Sequence, residues 1–447
     1  MIKIKIDSRQ VTPGDTFIAI IGDTFDGHDF IDQAISNGAT KIIAQKGEYF
    51  IEYIIVSNTK EYLEEYLVTN YAHFFKDLKI IAITGTNGKT TTAYLAYQML
   101  NELNISAAYI GTIGFYANKE FIQDLNNTTP NILETYELLL QCLELNCQVV
   151  IMEVSSHALV QNRIKGLKLD AAVFTNLTQE HLDYHQNIKD YLNAKLKIMD
   201  YLKQDGVMIV NSDDAYAKYF NYHNLITVGE TGSNYKLEKY TVNNNLNTIY
   251  FNNLKVTTNL SAKFNVYNYL MALAAVNTIV SNIETIINIS SKISAPKGRC
   301  EIIPVRGSIA VVDYAHTPDA VLKIITAFKS TKGKIITIIG CGGDRDRTKR
   351  PIMATIATTC SDHVVFTNDN PRTEDPKEII SDMIKDLENT NYEVIYDRSF
   401  AIKKGLELLK SNDVLLILGK GHEEYQIIGK DKKSFSDCKE VLKLLDL

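Results

Sequence analysis

Tryptophan is absent from the 447 residues. With the abundance of Ile, Asn, Lys and Tyr, this reads as codon bias and carries no chemistry. Positive charge is not in excess: Lys and Arg number 47 against 53 Asp and Glu, a net charge of −6. That balance argues against tracking a nucleic-acid backbone by bulk electrostatics and leaves room for a local basic pocket for a small anion. No apolar run approaches the roughly 18 residues of a membrane span. The opening MIKIKIDSRQ alternates like a strand and lacks the basic-then-apolar pattern of a secretory leader. The six cysteines, Cys142, Cys147, Cys300, Cys341, Cys360 and Cys438, include no CxxC pair. Free thiols in a reducing cytosol are the simplest account. Neither an internal repeat nor a low-complexity linker is present. The expectation is a cytoplasmic chain, a monomer, with no nucleic-acid partner and no membrane insertion.

Hydrophobic residues make up 45% and charged residues 22%, the balance of a folded globular protein. The length suits about three domains. Residues 1–78 mix short strands (Ile2–Ile6, Thr16–Ile20, Lys41–Ala44, Tyr53–Val56) with helix. One helix, near Asp29–Asn37, ends at Gly38. Residues 79–295 open on the apolar strand KIIAITG. Further buried strands at Gln148–Met152, Ala171–Thr175 and Val207–Asn211 alternate with helices, and an antiparallel insertion lies near Gly229–Asn259. Residues 296–447 repeat the alternation at Ile309–Asp313, Lys334–Ile339, His363–Thr367, Glu393–Tyr396 and Val414–Leu418. The fold class is α/β. A small α/β domain precedes a central P-loop parallel-sheet domain and a Rossmann-like C-terminal domain, with a ligand cleft between domains.

The segment ITGTNGKTTT (Ile83–Thr92) follows a buried strand and precedes a helix. It is a shortened P-loop, Gly85-x-x-Gly88-Lys89-Thr90. Its glycines admit backbone N–H groups to an anion, and the helix N-terminus adds partial positive charge. Lys89 is placed to neutralise phosphate oxygens and the Thr90 hydroxyl to ligate Mg²⁺. Glu153, closing the strand VVIME, stands at a strand's carboxyl end beside the phosphate loop, where a carboxylate holds Mg²⁺. His181-x-Asp183-x-His185 on an extended segment invites a zinc reading, and a structural histidine is the reading retained for His185. Lys195, in DYLNAK, reads from spacing alone as an exposed helix lysine.

The loop TGTNGKTTT resembles that of the ATP-dependent peptidoglycan precursor ligases and the folylpolyglutamate synthetases. DSRQVTPGDTF, NNTTP, MEVSSHALVQNR, FTNLTQEHLDYH, FNVYN, DYAHTPDA, GGDRDRTKRP, DNPR and GKGHEE follow in order across nearly the whole chain. Together they resemble the UDP-N-acetylmuramoyl-tripeptide synthetases, the family adding the third amino acid to the precursor. The resemblance implies an ATP- and Mg²⁺-dependent ligase that activates a carboxylate as an acyl phosphate. Gly85, Thr86, Asn87, Gly88, Lys89, Thr90, Thr91, Asn268, Arg299 and Asp313 then serve ATP. Glu153, His181 and Lys195 serve metal, with Lys195 as a CO₂-derived carbamate. Ser8, His28, Thr128, Thr129, Ser155, Gln161 and Arg163 match positions that hold the UDP-N-acetylmuramoyl dipeptide. Arg345, Asp369, Asn370, Arg372, Gly419 and Glu423 match contacts to the incoming amino acid.

By resemblance, Asn-Pro-Arg goes with meso-diaminopimelate. A planar guanidinium at Arg372 matches a distal carboxylate bidentately, whereas lysine-adding relatives lack that arginine. Meso-lanthionine has similar ends and stays open, as does L-lysine. Asn268 also reads as a helix-start cap. The chain departs from the family at Gln179-Glu180, where Arg-Asp is common, and at Lys297, where Pro is common. Two rivals are a folylpolyglutamate synthetase, against which DYAHTPDA and DNPR stand, and a P-loop phosphotransferase or regulatory module that makes no amide.

Overall fold

A computed structural model describes residues 2–22, 25–180, 184–243, 246–330 and 332–446. Its strands fall into three main sheets and one hairpin. The first sheet is parallel and four-stranded, ordered Ile4–Lys5, Thr16–Ile18, Lys41–Ala44, Glu52–Ile55. Behind it a 3₁₀ turn, Gly27–Phe30, runs into the helix Ile31–Ser36, and Gly38 takes φ +104° just beyond the end, a left-handed exit that glycine permits without strain.

The second sheet has eleven strands. Its centre is parallel, in the order Leu225–Gly229, Leu202–Asn211, Leu169–Phe174, Lys79–Thr84, Val149–Glu153, Ala107–Gly111. Five residues of Lys79–Thr84 and all five of Val149–Glu153 are buried, as a strand covered on both faces requires. The chain passes from Lys79–Thr84 to one side and later to the other. The crevice at a sheet's switch point therefore opens at the carboxyl ends of these strands. On one face lie the helices Lys89–Glu102 and Lys263–Val280. The second is buried around its whole circumference from Asn268 to Val276 and packs Val266, Tyr269, Leu270, Met271, Leu273 and Val276 into the core. On the other face Tyr136, Leu139 and Met152 join one core with Leu63, Leu67 and Phe75 of the preceding segment.

The expected insertion forms an antiparallel meander, Tyr235–Asn243, Leu246–Phe251 and Leu254–Thr258. Among the described residues four hairpins were not anticipated, two of them Gly114–Ala117 with Glu120–Gln123 and Glu301–Val305 with Ser308–Asp313. In the other two, Ala107–Gly111 turns through Thr112 and Ile113 into Gly114–Ala117, and Tyr425–Ile428 turns through Gly429 and Lys430 into Asp431–Ser434.

The third sheet runs Glu301–Val305, Ser308–Asp313, Val414–Leu418, Ile335–Ile339, His363–Phe366, Tyr392–Val394. Only the edge strand Glu301–Val305 is antiparallel. It carries Pro304, which an edge tolerates because it can spare a backbone donor. Val414–Leu418 returns between two earlier strands, which gives this sheet its own switch point. Arg398 pins the loops there. Wholly buried, its Nε and Nη2 bond Asp437 at 2.7 and 2.8 Å, Nη2 also bonds the Leu418 carbonyl at 3.0 Å, and Nη1 bonds the Asn368 carbonyl at 3.3 Å. Among the described residues no helix is long and apolar enough to cross a membrane.

Removing Arg398 strands the Asp437 charge in the interior. Arg398→Ala is expected to lower unfolding stability by about 3–5 kcal/mol in a denaturant titration. A loss below about 1 kcal/mol would show that the pair is not holding the loops.

Candidate active site

The phosphate loop connects the strand Lys79–Thr84 to the helix Lys89–Glu102, and both its glycines are left-handed, Gly85 at φ +145° and Gly88 at φ +86°. Each is also crowded. A Cβ on Gly85 would lie 1.9 Å from Thr175 Oγ1, and one on Gly88 would lie 2.4 Å from Asn268 Oδ1. Thr175 and Asn176, just past the neighbouring strand, latch the loop. Thr175 Oγ1 and Asn176 Nδ2 donate to the Asn87 carbonyl at 2.6 and 2.9 Å, and the Asn87 N–H donates to Asn176 Oδ1 at 2.9 Å. Thr86 Oγ1 accepts from the Thr178 N–H at 3.0 Å. Thr91 is buried one residue past Thr90.

Lys89 folds back on the loop, donating to the Gly85 and Thr86 carbonyls at 2.9 and 2.8 Å. Burial lowers its pKa, against the pull of Glu180 and Glu153. Glu153 is fully buried at the end of its strand. Its Oε2 accepts from Thr90 Oγ1 at 2.9 Å and Thr112 Oγ1 at 3.2 Å, and its Oε1 from the Thr112 N–H at 2.9 Å and the Tyr109 hydroxyl at 2.5 Å. The Tyr109 hydroxyl is held protonated, its pKa raised well above the ordinary value by burial and by the adjacent carboxylate. Carboxylate and hydroxyl oxygens at a phosphate loop are the donors a hard divalent cation takes, so the residues present fit Mg²⁺.

Lys195 is not the exposed lysine that spacing alone suggests. The helix Ile188–Leu196 turns it inward to 1% exposure. Nζ donates to the Gly85 carbonyl at 2.9 Å and sits 4.3 Å from the centre of the Tyr191 ring. Burial, and then the charge of Lys89, lower its pKa well below that of a free lysine, with Glu180 opposing. His185 is buried, its Nε2 2.9 Å from Ser156 Oγ, in keeping with a structural histidine. His181 and Asp183 lie outside the described residues. Among the described residues no group of three or more His, Cys, Asp or Glu is arranged to hold a metal.

Asn268 is not a helix-start cap. It lies in the second turn of Lys263–Val280, buried, bonded to Asn265 Oδ1 at 3.0 Å and accepting from Thr92 Oγ1 at 3.3 Å. Arg299 reaches in from the third segment: Nη2 is 3.3 Å from Thr90 Oγ1, its guanidinium stacks 4.4 Å from the Tyr314 ring, and its buried Nε has no hydrogen-bond partner among the described residues. Asp313 accepts from the Cys300 N–H at 2.7 Å, and burial raises its pKa. Asn87 Nδ2 bonds Asp319 at 2.9 Å, so the phosphate loop touches the third segment directly.

Beside Glu153, Thr128 Oγ1 meets Thr112 Oγ1 at 3.0 Å and Thr129 Oγ1 donates to the Glu153 carbonyl at 2.9 Å. Ser155 caps the helix Ser156–Val160. Arg163 donates to the Thr129 carbonyl at 2.6 Å and, from Nε and Nη2, to Gln161 Oε1 at 3.0 and 2.7 Å. Thr128, Thr129, Ser155, Gln161 and Arg163 thus share one hydrogen-bond network around Glu153. Ser8 and His28 stand apart, in the first sheet's own network. Ser8 Oγ donates to Gln33, and His28 bridges Asp26 at 2.5 Å and the Gln45 N–H at 2.9 Å. The His28 N–H groups hold the Asp26 carboxyl down at about 2.

At the third sheet's switch point the DNPR loop, the GGDRDR loop and the GKGHEE turn converge. Asn370 Nδ2 and Lys420 Nζ both donate to Glu423 Oε2, at 2.7 and 2.9 Å, and Lys420 also bonds Asn370 Oδ1 at 3.0 Å. Gly419, at φ +113°, passes so close to Asp369 that a Cβ would come within 2.6 Å of its carboxylate. Arg372, itself at φ +52°, donates to the Gly343 carbonyl at 2.8 Å. Arg345 is exposed. The sequence reasoning missed Tyr109, Thr112 and Lys420. Tyr109 is hidden in the apolar run AAYIG, while Lys420 sits inside a motif already in view.

Three family models match in order: the Mur ligase family, catalytic domain over residues 3–75, the Mur ligase middle domain over 83–276, and the Mur ligase, glutamate ligase domain over 298–421. The chain is 38% identical over 461 residues to the UDP-N-acetylmuramoyl-L-alanyl-D-glutamate–2,6-diaminopimelate ligase of Clostridium botulinum, covering 99% of this chain and 94% of that protein. It is 39% identical over 449 residues to the protein of the same name from Fusobacterium nucleatum, covering 97% and 92%. A solved structure of a UDP-N-acetylmuramoyl-L-alanyl-D-glutamate–2,6-diaminopimelate ligase shares 30% identity, with a TM-score of 0.69 over 99% of this chain and 94% of that one. The MurF ligase of Thermotoga maritima, solved with ADP, shares the fold at a TM-score of 0.70 and 19% identity, covering 99% and 96%. With an N-terminal, a central and a C-terminal unit each matched in turn, and full-length relatives well above 30% identity, this chain belongs to the Mur ligase family.

Proposed function

We propose that this chain is an ATP-dependent ligase that adds meso-2,6-diaminopimelate to UDP-N-acetylmuramoyl-L-alanyl-D-glutamate through an acyl phosphate, in cytoplasmic peptidoglycan precursor synthesis. Full-length similarity to ligases of that name supports it. The observation that carries it is the direct bond from Asn87 at the phosphate loop to Asp319 of the third segment, which sets the proposed nucleotide loop against the segment that carries the proposed amino-acid residues. The domain limits proposed with it are 1–78, 79–295 and 296–447, which keep each main sheet within one segment.

A carboxylate resists attack by an amine because oxide is a very poor leaving group. Taking the γ-phosphoryl group of ATP turns that oxygen into phosphate, which leaves readily. The loop N–H groups, Lys89 and Arg299 hold the nucleotide tail and screen the approach of one anion to another. Thr90, Glu153, His181 and Lys195 are the residues proposed to hold magnesium, which when bound neutralises the charge between the two reactants. Lys195 as its carbamate fits the buried setting. The free amine is the form that combines with CO₂, and desolvation beside Lys89 favours that form. Thr128, Thr129, Ser155, Gln161 and Arg163 face the dipeptide substrate, and Ser8 and His28 the uridine end. Asn268 and Asp313 serve the nucleoside.

The amino acid must be held at both ends. Asn370 and Lys420 take one oxygen of Glu423 and so turn the other toward the distal ammonium. Arg372 faces the distal carboxylate, with Arg345, Asp369 and Gly419 completing the pocket. The neutral amine then attacks the acyl phosphate, and the tetrahedral adduct expels phosphate. Because the groups sit on separate domains, closure gates turnover.

Phosphate release from ATP is expected only when both the UDP-linked dipeptide and an amino acid are present, with ¹⁸O from the dipeptide carboxylate appearing in the phosphate. Label-free phosphate would refute the acyl-phosphate route, and release without either substrate would favour a plain phosphotransferase. In a side-by-side screen of diaminopimelate, lysine, lanthionine and ornithine, Arg372→Ala should lower kcat/KM for diaminopimelate about 10- to 100-fold, one charge-assisted pair's worth, and leave ATP binding intact. Unchanged diaminopimelate kinetics would remove Arg372 from the selectivity role. Lys195→Ala should lose about 100-fold or more in kcat and recover in part with added formate or acetate. Wild-type turnover in that variant would end the carbamate reading.

A further inference from the structure

Glu153 is held by more than the phosphate loop needs. Oε2 accepts from Thr90 of the loop and from the Thr112 hydroxyl, while Oε1 is held by the Thr112 N–H and the Tyr109 hydroxyl. Tyr109 lies in the strand Ala107–Gly111, next to the strand that ends in Glu153, and it is wholly buried. Its ring is fixed at a right angle to Tyr94, with centroids 5.8 Å apart, and at 67° to Tyr116, 6.0 Å away, which aims the hydroxyl at Glu153. Gly111 supplies the room: a Cβ there would fall 2.3 Å from Glu153 Oε1 and 2.4 Å from the Tyr109 hydroxyl. Tyr97 belongs to the same ring cluster, but its hydroxyl points elsewhere and accepts from the Lys119 N–H at 2.9 Å.

We infer that Tyr109 is a positioning residue for the divalent-cation site: it anchors Glu153 Oε1 so that Oε2, beside Thr90, stays turned toward the metal. The inference rests on the reading of Glu153 as a metal ligand. A donor that orients a carboxylate ligand governs metal affinity more than folding, and losing such a partner typically costs 10- to 100-fold in affinity. Tyr109→Phe keeps the ring and its packing and removes only the aimed donor.

The test measures Mn²⁺ binding to the full-length protein in the presence of ADP by electron paramagnetic resonance, alongside thermal melting. Tyr109→Phe, Tyr97→Phe and Glu153→Gln are compared with the wild type. The expected result is a Mn²⁺ dissociation constant raised about 10- to 100-fold in Tyr109→Phe and within twofold of wild type in Tyr97→Phe. Metal-free ADP affinity should be unchanged in both. In the ligase assay Tyr109→Phe should shift half-saturating Mg²⁺ upward and keep kcat at saturating Mg²⁺. Three outcomes overturn it. If Glu153→Gln loses Mn²⁺ and Tyr109→Phe does not, Tyr109 has no such role. If Tyr97→Phe weakens Mn²⁺ as much as Tyr109→Phe, the effect is general loosening of the ring cluster. If Glu153→Gln itself leaves Mn²⁺ binding intact, the reading of Glu153 fails and the inference falls with it.

Discussion

The cleft is organised around an imbalance of buried charge. Lys89 and Lys195 both donate to the single carbonyl of Gly85, and Arg299 reaches Thr90 from across the interface. Positive charges brought this close disfavour one another, which lowers the Lys195 pKa and favours its free amine, while nearby carboxylates draw protons back onto the lysines. Glu153, wholly buried, and Glu180, which pulls on both lysines, are the carboxylates that do so. The site is thus built for a polyanion. A carbamate on Lys195, as proposed, would add oxygen ligands where an amine with a lowered pKa now bonds the Gly85 carbonyl.

The same geometric device appears twice. In each large sheet the chain leaves a central strand in one direction and later returns on the other side, so that loops part at the carboxyl edge. In the second sheet that edge carries Gly85 to Thr90, Glu153 and Asn176. In the third it carries Asp313, Asn370 and Gly419, with Arg398 fastening the loops from beneath. The Asn87–Asp319 bond and the Arg299–Thr90 contact set the two edges against each other. The first sheet is held more loosely to this plan. The polar atoms of Ser8 and His28 satisfy neighbours in their own sheet, so engaging a nucleotide there requires exchanging those bonds or using backbone beside them.

Much of this was legible in the chain. Continuous apolar runs mark the buried parallel strands, because a strand covered on both faces has no polar side to show. Gly-x-x-Gly-Lys-Thr between a strand and a helix marks the phosphate loop, and Glu153 follows from its place at a strand's end. Two of the hairpins, Ala107–Gly111 with Gly114–Ala117 and Tyr425–Ile428 with Asp431–Ser434, carried a signal too. Their two-residue turns abut or contain glycine, at Gly111 and Gly114 and at Gly429, but flanking strands of four or five residues are too short to stand out by alternation.

What the chain alone determined was local: which segments are strands, where an anion loop sits, and which polar residues travel with it, since these depend on periodicity and on neighbours within a few positions. Tertiary structure alone decided the rest. Lys195 reads as a solvated helix lysine until the helix is docked, Asn268 as a cap until it faces Gly88, and Tyr109 as one more apolar-run aromatic until Glu153 is set beside it. Each role comes from a partner at least 44 residues away in the sequence, and no local pattern encodes a contact that only the packing of distant strands and helices creates.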